Sequence, residues 1–135
     1  MPQTRAEMEP QAAVLRILVV EDEPFIRFAM AEALRELGVS VAEAKSADEA
    51  WQYLTTGGSV DLIFTDHRMP GSMTGAQLAA RIRQQYPTLI VIVTSAHLDG
   101  QEWPGPLQTK PYNISKVAAD LAERALRRRK NEGDL

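Results

Sequence analysis

Three short runs rich in branched apolar residues, Leu15–Val20, Val60–Thr65 and Leu89–Thr94, constrain this chain more than any other feature. Each is separated from the next by enough chain for a helix, which is how buried parallel strands appear in a sequence. The intervening segments carry the matching period. Ile26, Met30, Ala33, Leu34 and Leu37 recur at helical spacing before Gly38, a stop signal. Val39–Ala44 alternates like a short strand. Ser46 and Glu49 form a capping-box pattern ahead of Ala50, Trp51 and Leu54, and Gly57-Gly58 ends that helix. A third helix is expected over about 74–86, closed by Pro87, and a last one over 113–130 with Ile114, Val117, Ala118, Leu121 and Ala125 on one stripe. Leu107–Thr109 is a weak fifth strand. Two Pro and two Gly within 96–106 prevent a full helix of three turns there. The alternation predicts an α/β doubly wound sandwich, helices on both faces of one parallel sheet, with right-handed crossovers.

Charge enters where the apolar runs stop. The first run leads into Glu21-Asp22-Glu23-Pro24, and the second into Asp66-His67-Arg68-Met69-Pro70-Gly71. In an open parallel sheet, ligands bind beyond the carboxyl ends of the strands, so these acids belong to a site. Apposed carboxylates repel unless a cation neutralises them, and a hard divalent ion with oxygen ligands, Mg²⁺, answers that need. The chain has no cysteine, which excludes disulfides and thiolate chemistry and suits a reducing cytoplasm. Its formal net charge of -3 gives no global field for nucleic acid or membrane. No apolar stretch approaches the roughly 18 residues of a membrane span. Residues 1–13 read as a loose arm without a signal-peptide core, 14–130 as one domain, and 131–135 as a tail.

Four markers in this order resemble the receiver domain of two-component response regulators over about residues 15–130. They are the acidic cluster Glu21-Asp22-Glu23-Pro24, Asp66 within Asp-His-Arg-Met-Pro-Gly, Ser95-Ala96 after the fourth strand, and Lys110-Pro111-Tyr112 after the fifth. The resemblance implies a flavodoxin-like, five-stranded parallel sheet of order 2-1-3-4-5, with the fourth of the family's five helices short or missing here. It implies that Asp66 accepts a phosphoryl group from a phosphohistidine on a sensor histidine kinase or phosphotransfer protein. Mg²⁺ would be held by Glu21, Asp22, Asp66 and the backbone carbonyl of Arg68. Lys110 would place a charge on the phosphoryl group, Ser95 a hydrogen bond, and the Lys110–Pro111 bond would be cis. Such a chain is a phosphoacceptor that catalyses its own phosphorylation and dephosphorylation, not an enzyme for an outside substrate. It reads as a stand-alone receiver in the cytoplasm, signalling through a separate protein partner or acting as a phosphate sink, with no DNA or membrane binding. A Mg²⁺-dependent phosphatase or phosphotransferase with an aspartyl nucleophile is the alternative; it would normally need an acid two residues after the nucleophile, where Arg68 stands.

Other residues admit plainer readings. Thr94 competes with Ser95 for the hydroxyl role, but is expected on the opposite side of the strand, away from the site. His67 and His97 are expected at the rim of the acidic site. Arg68 is expected to shield an acyl phosphate from water. Leu107 stands where receivers usually carry an aromatic, so signalling is expected to move the 95–106 loop, with Trp103 as reporter and Trp51 silent. Gly71–Gly75 reads either as a loop variant known in receivers or as a simple flexible turn. The basic run Arg124–Lys130 complements the dipole of a helix C-terminus.

Overall fold

Within residues 14–96 and 103–132, which the computed structural model describes, every apolar run forms a strand and every periodic segment a helix. The order is β1 (Arg16–Val20), α1 (Pro24–Glu36), β2 (Ser40–Ala44), α2 (Ala47–Thr55), β3 (Leu62–Asp66), α3 (Gly75–Gln85), β4 (Ile90–Ser95), β5 (Leu107–Thr109) and α4 (Ile114–Asn131). The strands make one parallel sheet of order β2-β1-β3-β4-β5, as expected. The expected N-terminal arm, His97 and residues 133–135 lie outside the described residues.

Alternation along the strands builds two cores, one on each face of the sheet. Leu18, Val20, Ile63, Val91 and Val93 face α2 and α3, where Leu54, Leu78 and Ile82 complete the packing. Ile17, Val19, Leu62, Phe64 and Ile92 face α1 and α4, against Met30, Leu34, Val117 and Leu121. Strand β3 is buried along its whole length, which is why its sequence is a continuous apolar run. The helices start at side-chain caps: Ser46 accepts from Glu49 N–H, Thr74 from Gln77 N–H in a full capping box, and Asn113 from Lys116 N–H.

Strand β3 begins later than the apolar run, and the reason lies far along the chain. Asp61 precedes it and is buried; its Oδ2 accepts the Arg16 N–H at 3.0 Å. Its Oδ1 accepts from Arg128 Nη1 at 2.9 Å and Arg129 Nε at 2.5 Å. This corrects the reading of the C-terminal basic run as a dipole complement alone, because two of its arginines face inward and neutralise a buried acid.

Between β4 and β5, residues 103–106 hold no helix; 97–102, the rest of the stretch where the fourth helix is expected short or missing, lie outside the described residues. Trp103, the expected reporter, is anchored in the core. It is 3% exposed and packs into the α2–α3 core. Its Nε1–H donates to Pro106 O at 2.8 Å, and the Arg83 guanidinium lies 4.7 Å from its ring centroid.

Candidate functional site

The strand ends bring Glu21, Asp22 and Asp66 together. Glu21 follows β1 and extends the ladder by donating its N–H to Ala44 O at 3.0 Å. Asp66 ends β3, directly opposite Thr94 of β4. One carboxylate oxygen from each of Glu21, Asp22 and Asp66 lies within 4.8 Å of the others; Glu21 and Asp66 are buried and Asp22 is exposed. Lys110, just past β5, places its ammonium 2.9 Å from Asp66 Oδ1. The same oxygen accepts the His67 N–H at 2.9 Å. Ser95 is buried at the end of β4, and its carbonyl accepts the Lys110 N–H at 3.4 Å, which ties the two strand ends together. The Lys110–Pro111 peptide is cis. Arg68 has an exposed side chain, and the expected role of its carbonyl rests on the resemblance alone.

The electrostatics follow from burial. Glu21 is pushed up to about 7, chiefly because burial disfavours its charge. The Glu23 N–H, which donates to its Oε2 at 3.1 Å, pulls the other way; repulsion from Asp66 raises the value again, and Lys110 lowers it. Tyr112 packs edge-on against Phe64 with centroids 5.8 Å apart. Burial, then the charges of Glu21 and Asp66, push its phenol up to about 12.

Two expectations change. Thr94 is not remote from the site: it lines a crevice beneath it with Glu21, Asp66, Phe64 and Tyr112 that has no room for a water molecule. Its hydroxyl is buried without a partner. The two hydroxyls do sit on opposite faces of β4, but Thr94 has the face shared with Asp66. His67 is not at the rim either. It is buried, and its Nδ1 accepts the Ala76 N–H at 3.3 Å, in the first turn of α3. Helix α3 in turn starts against the end of β3: a Cβ at Gly75 would lie 2.0 Å from Asp66 O, so only glycine fits there.

Sequence reasoning passed over Asp48. It sits in the first turn of α2 within the capping-box pattern, where an acid is ordinary. Its carboxylate in fact grips the turn after Pro70, accepting the Ser72 N–H at 2.9 Å and the Ser72 O–H at 2.5 Å. The turn is therefore tied to α2 through Ser72.

Beside the acids, Ile26, Ala96, Lys110, Pro111, Tyr112 and Ile114 line an open, largely apolar groove of about 500 Å³. No helix among the described residues is long and apolar enough to cross a membrane.

A sheet of this order with this acid–lysine cluster at its carboxyl end defines a receiver-type signalling domain, and comparison with known proteins agrees. The family model for the response regulator receiver domain matches residues 17–104; the chain belongs to that family. It is 34% identical over 115 residues to the DNA-binding transcriptional regulator NtrC of Klebsiella pneumoniae, covering 80% of this chain and 24% of that one. The chain thus spans about a quarter of that relative. Among solved structures, the response regulator TrrA of Thermotoga maritima, in complex with Mg(2+)-BeF, is 29% identical. It superposes with a TM-score of 0.72 over 82% of this chain and 99% of that one. A CheY-like receiver domain protein of Methanospirillum hungatei, 21% identical, shares the fold with a TM-score of 0.78 over 87% of this chain and 98% of that one.

Proposed function

We propose that this chain is a Mg²⁺-dependent phosphoacceptor: Asp66 takes a phosphoryl group from a phosphohistidine on a sensor histidine kinase or phosphotransfer protein. The phosphorylated form is then read by a protein partner. The observation that carries the reading is the buried Asp66 carboxylate, paired with Lys110 at 2.9 Å inside a cluster of three carboxylates. Carboxylates lacking a full complement of cations repel one another and an incoming phosphoryl group alike.

The donor set suits the metal. Three hard oxygen ligands, one of them exposed, leave an ion room to keep several waters, which is how Mg²⁺ is usually held. Glu21, Asp22 and Asp66 would hold it, with the Arg68 carbonyl as a further ligand by family resemblance. When bound, Mg²⁺ supplies the positive charge that offsets repulsion between carboxylate and phosphoryl oxygens.

The remaining work belongs to the chain. An Asp66 carboxylate oxygen attacks phosphorus, the P–N bond of the phosphohistidine breaks, and the imidazole nitrogen leaves with the electron pair. Lys110 keeps its ammonium beside Asp66 and neutralises the charge that the phosphoryl oxygens bring. Ser95 donates its hydroxyl hydrogen to one of those oxygens. Such preset donors already stand in place and so cost little reorganisation when the phosphoryl group arrives. The donor protein would meet apolar surface nearby: Phe25 and Phe28, 84% and 60% exposed at the start of α1, stand on the helix that follows the acidic cluster.

The test is intact mass after incubation with acetyl phosphate. One added phosphoryl group, absent with chelator and absent in Asp66→Asn, is the expected result. Equal labelling in the Asn variant, or labelling indifferent to chelator, removes the proposal.

A further inference from the structure

Residues 67–74 leave the nucleophile strand, pass Arg68 beside the acidic cluster and enter α3. Each part of this loop is held. At its far end Thr74 and Gln77 close a capping box, Thr74 N–H donating to Gln77 Oε1 at 2.9 Å, and Gly75 lies against the Asp66 carbonyl. Met69 packs on the α2–α3 core. The part between, Gly71-Ser72, has no apolar anchor and instead meets a charge from another helix. Both oxygens of Asp48 are used there, Oδ2 by the Ser72 N–H and Oδ1 by the Ser72 hydroxyl. Those two bonds, the hydroxyl first, hold the Asp48 carboxyl below its ordinary range. Gly71 has a φ of +114°, a conformation that favours glycine, and Asp48 Oδ2 stands close to it, 2.4 Å from where a Cβ would lie. An acid in a first helical turn is explained by the helix dipole, but the dipole does not choose a partner on another loop.

We propose that Asp48 is a positioning residue for the acceptor site: it fixes the Gly71-Ser72 turn, and through it the course of the loop that presents the Arg68 backbone to the metal. The inference rests on the Mg²⁺ reading of the site given above. Asp48 is not in the carboxylate cluster and acts only through the loop. Residues that orient metal ligands are worth about 10–100-fold in affinity, and Asp48 stands one step further out. Asp48→Ala should therefore weaken Mg²⁺ binding about tenfold. Labelling by acetyl phosphate should slow at low Mg²⁺ and recover when Mg²⁺ is saturating.

The test uses the full chain, titrated calorimetrically with MgCl₂ as wild type, Asp48→Ala, Asp48→Asn and Ser72→Ala. Hydrogen exchange of the metal-free forms is followed in parallel. Asp48→Asn keeps one acceptor oxygen, and Ser72→Ala keeps the backbone bond, so both should fall between wild type and Asp48→Ala. Amides of 68–74 should exchange faster in Asp48→Ala, with β1 and β3 unchanged. A contact that only stabilises the fold would lower the melting temperature and leave Mg²⁺ affinity within twofold of wild type; that result overturns the role of Asp48 and spares the site. Should Asp48→Ala fail to fold, Ser72→Ala alone decides on the same criterion. Wild type that shows no saturable Mg²⁺ binding overturns the reading of the site, and the positioning role with it.

Discussion

Glu21 lies where β1 ends, buried and facing Asp66, and its carboxyl is pushed from an ordinary 4.5 up to about 7. The folded state therefore holds a proton in this range that the unfolded chain has released. Stability from this group is full below about pH 4.5 and is lost as pH rises through about 7. Metal-free protein should accordingly melt at a higher temperature near ~pH 5.5 than near ~pH 8 on this account. The difference should shrink in Glu21→Gln, and added Mg²⁺ should stabilise more at the higher pH. A pH dependence identical in Glu21→Gln would assign it to other groups. The two hydroxyls of β4 offer a second check at this scale. The Thr94 hydroxyl is buried with no partner, and an unsatisfied hydroxyl costs about 1–3 kcal/mol. Thr94→Val should be neutral or more stable by about 1 kcal/mol in urea denaturation, with acetyl phosphate labelling unchanged. Ser95→Ala should slow labelling. Slower labelling in Thr94→Val with Ser95→Ala unaffected would exchange their roles.

Helix α4 is joined to the sheet at two points of different chemistry. Val117, Ala118, Leu121 and Ala125 bury its apolar stripe, while Arg128 and Arg129 reach Asp61 at the start of β3. The Asp61 side chain is 3% exposed and the arginines 14% and 11%. Removing one partner of such a group leaves buried charge uncompensated, at about 3–5 kcal/mol. Asp61→Ala should lose stability of that order in urea denaturation, with early hydrogen exchange in the last turns of α4; a loss below about 1 kcal/mol would show the clamp to be dispensable. Helix α1 carries the complementary expectation. If its exposed Phe25 and Phe28 receive the donor protein, Phe25→Asp should reduce transfer from a phosphorylated donor protein and leave labelling by acetyl phosphate intact. Equal loss with both donors would place the effect in the site instead.

For the molecule as a whole, what could be read from the sequence was what depends on near neighbours. Branched runs that stop at charges gave the strands and placed Glu21, Asp22 and Asp66 at one sheet end, and the family markers added Lys110 and the cis bond before Pro111. The partners of Asp61 could not be read, because an apolar run with one acid looks the same whether that acid meets water or arginines 67 and 68 positions away. Asp48 was hidden by the ordinary presence of acids in first helical turns, and its match to Ser72 exists only once α2 and the β3–α3 loop are packed. Alternation put Thr94 and Ser95 on opposite faces, as the strand has them, but only the register with Asp66 shows that Thr94 borders the crevice beneath the acids. The burial of Trp103 could not be read either, because the Pro and Gly residues around it show only that a full helix is prevented, and its packing partners come from other elements.

All of these levels converge on one atom group, the Asp66 carboxylate, and its chemistry can be located directly. Acyl phosphates are reduced by borohydride, which converts a phosphorylated aspartate to homoserine. Protein labelled with acetyl phosphate and Mg²⁺, reduced and sequenced by tandem mass spectrometry, should carry homoserine at position 66 and nowhere else, with none formed when chelator is present. Homoserine at another aspartate, or a phosphoryl group found on Ser95 or His67 with Asp66 untouched, would contradict the account.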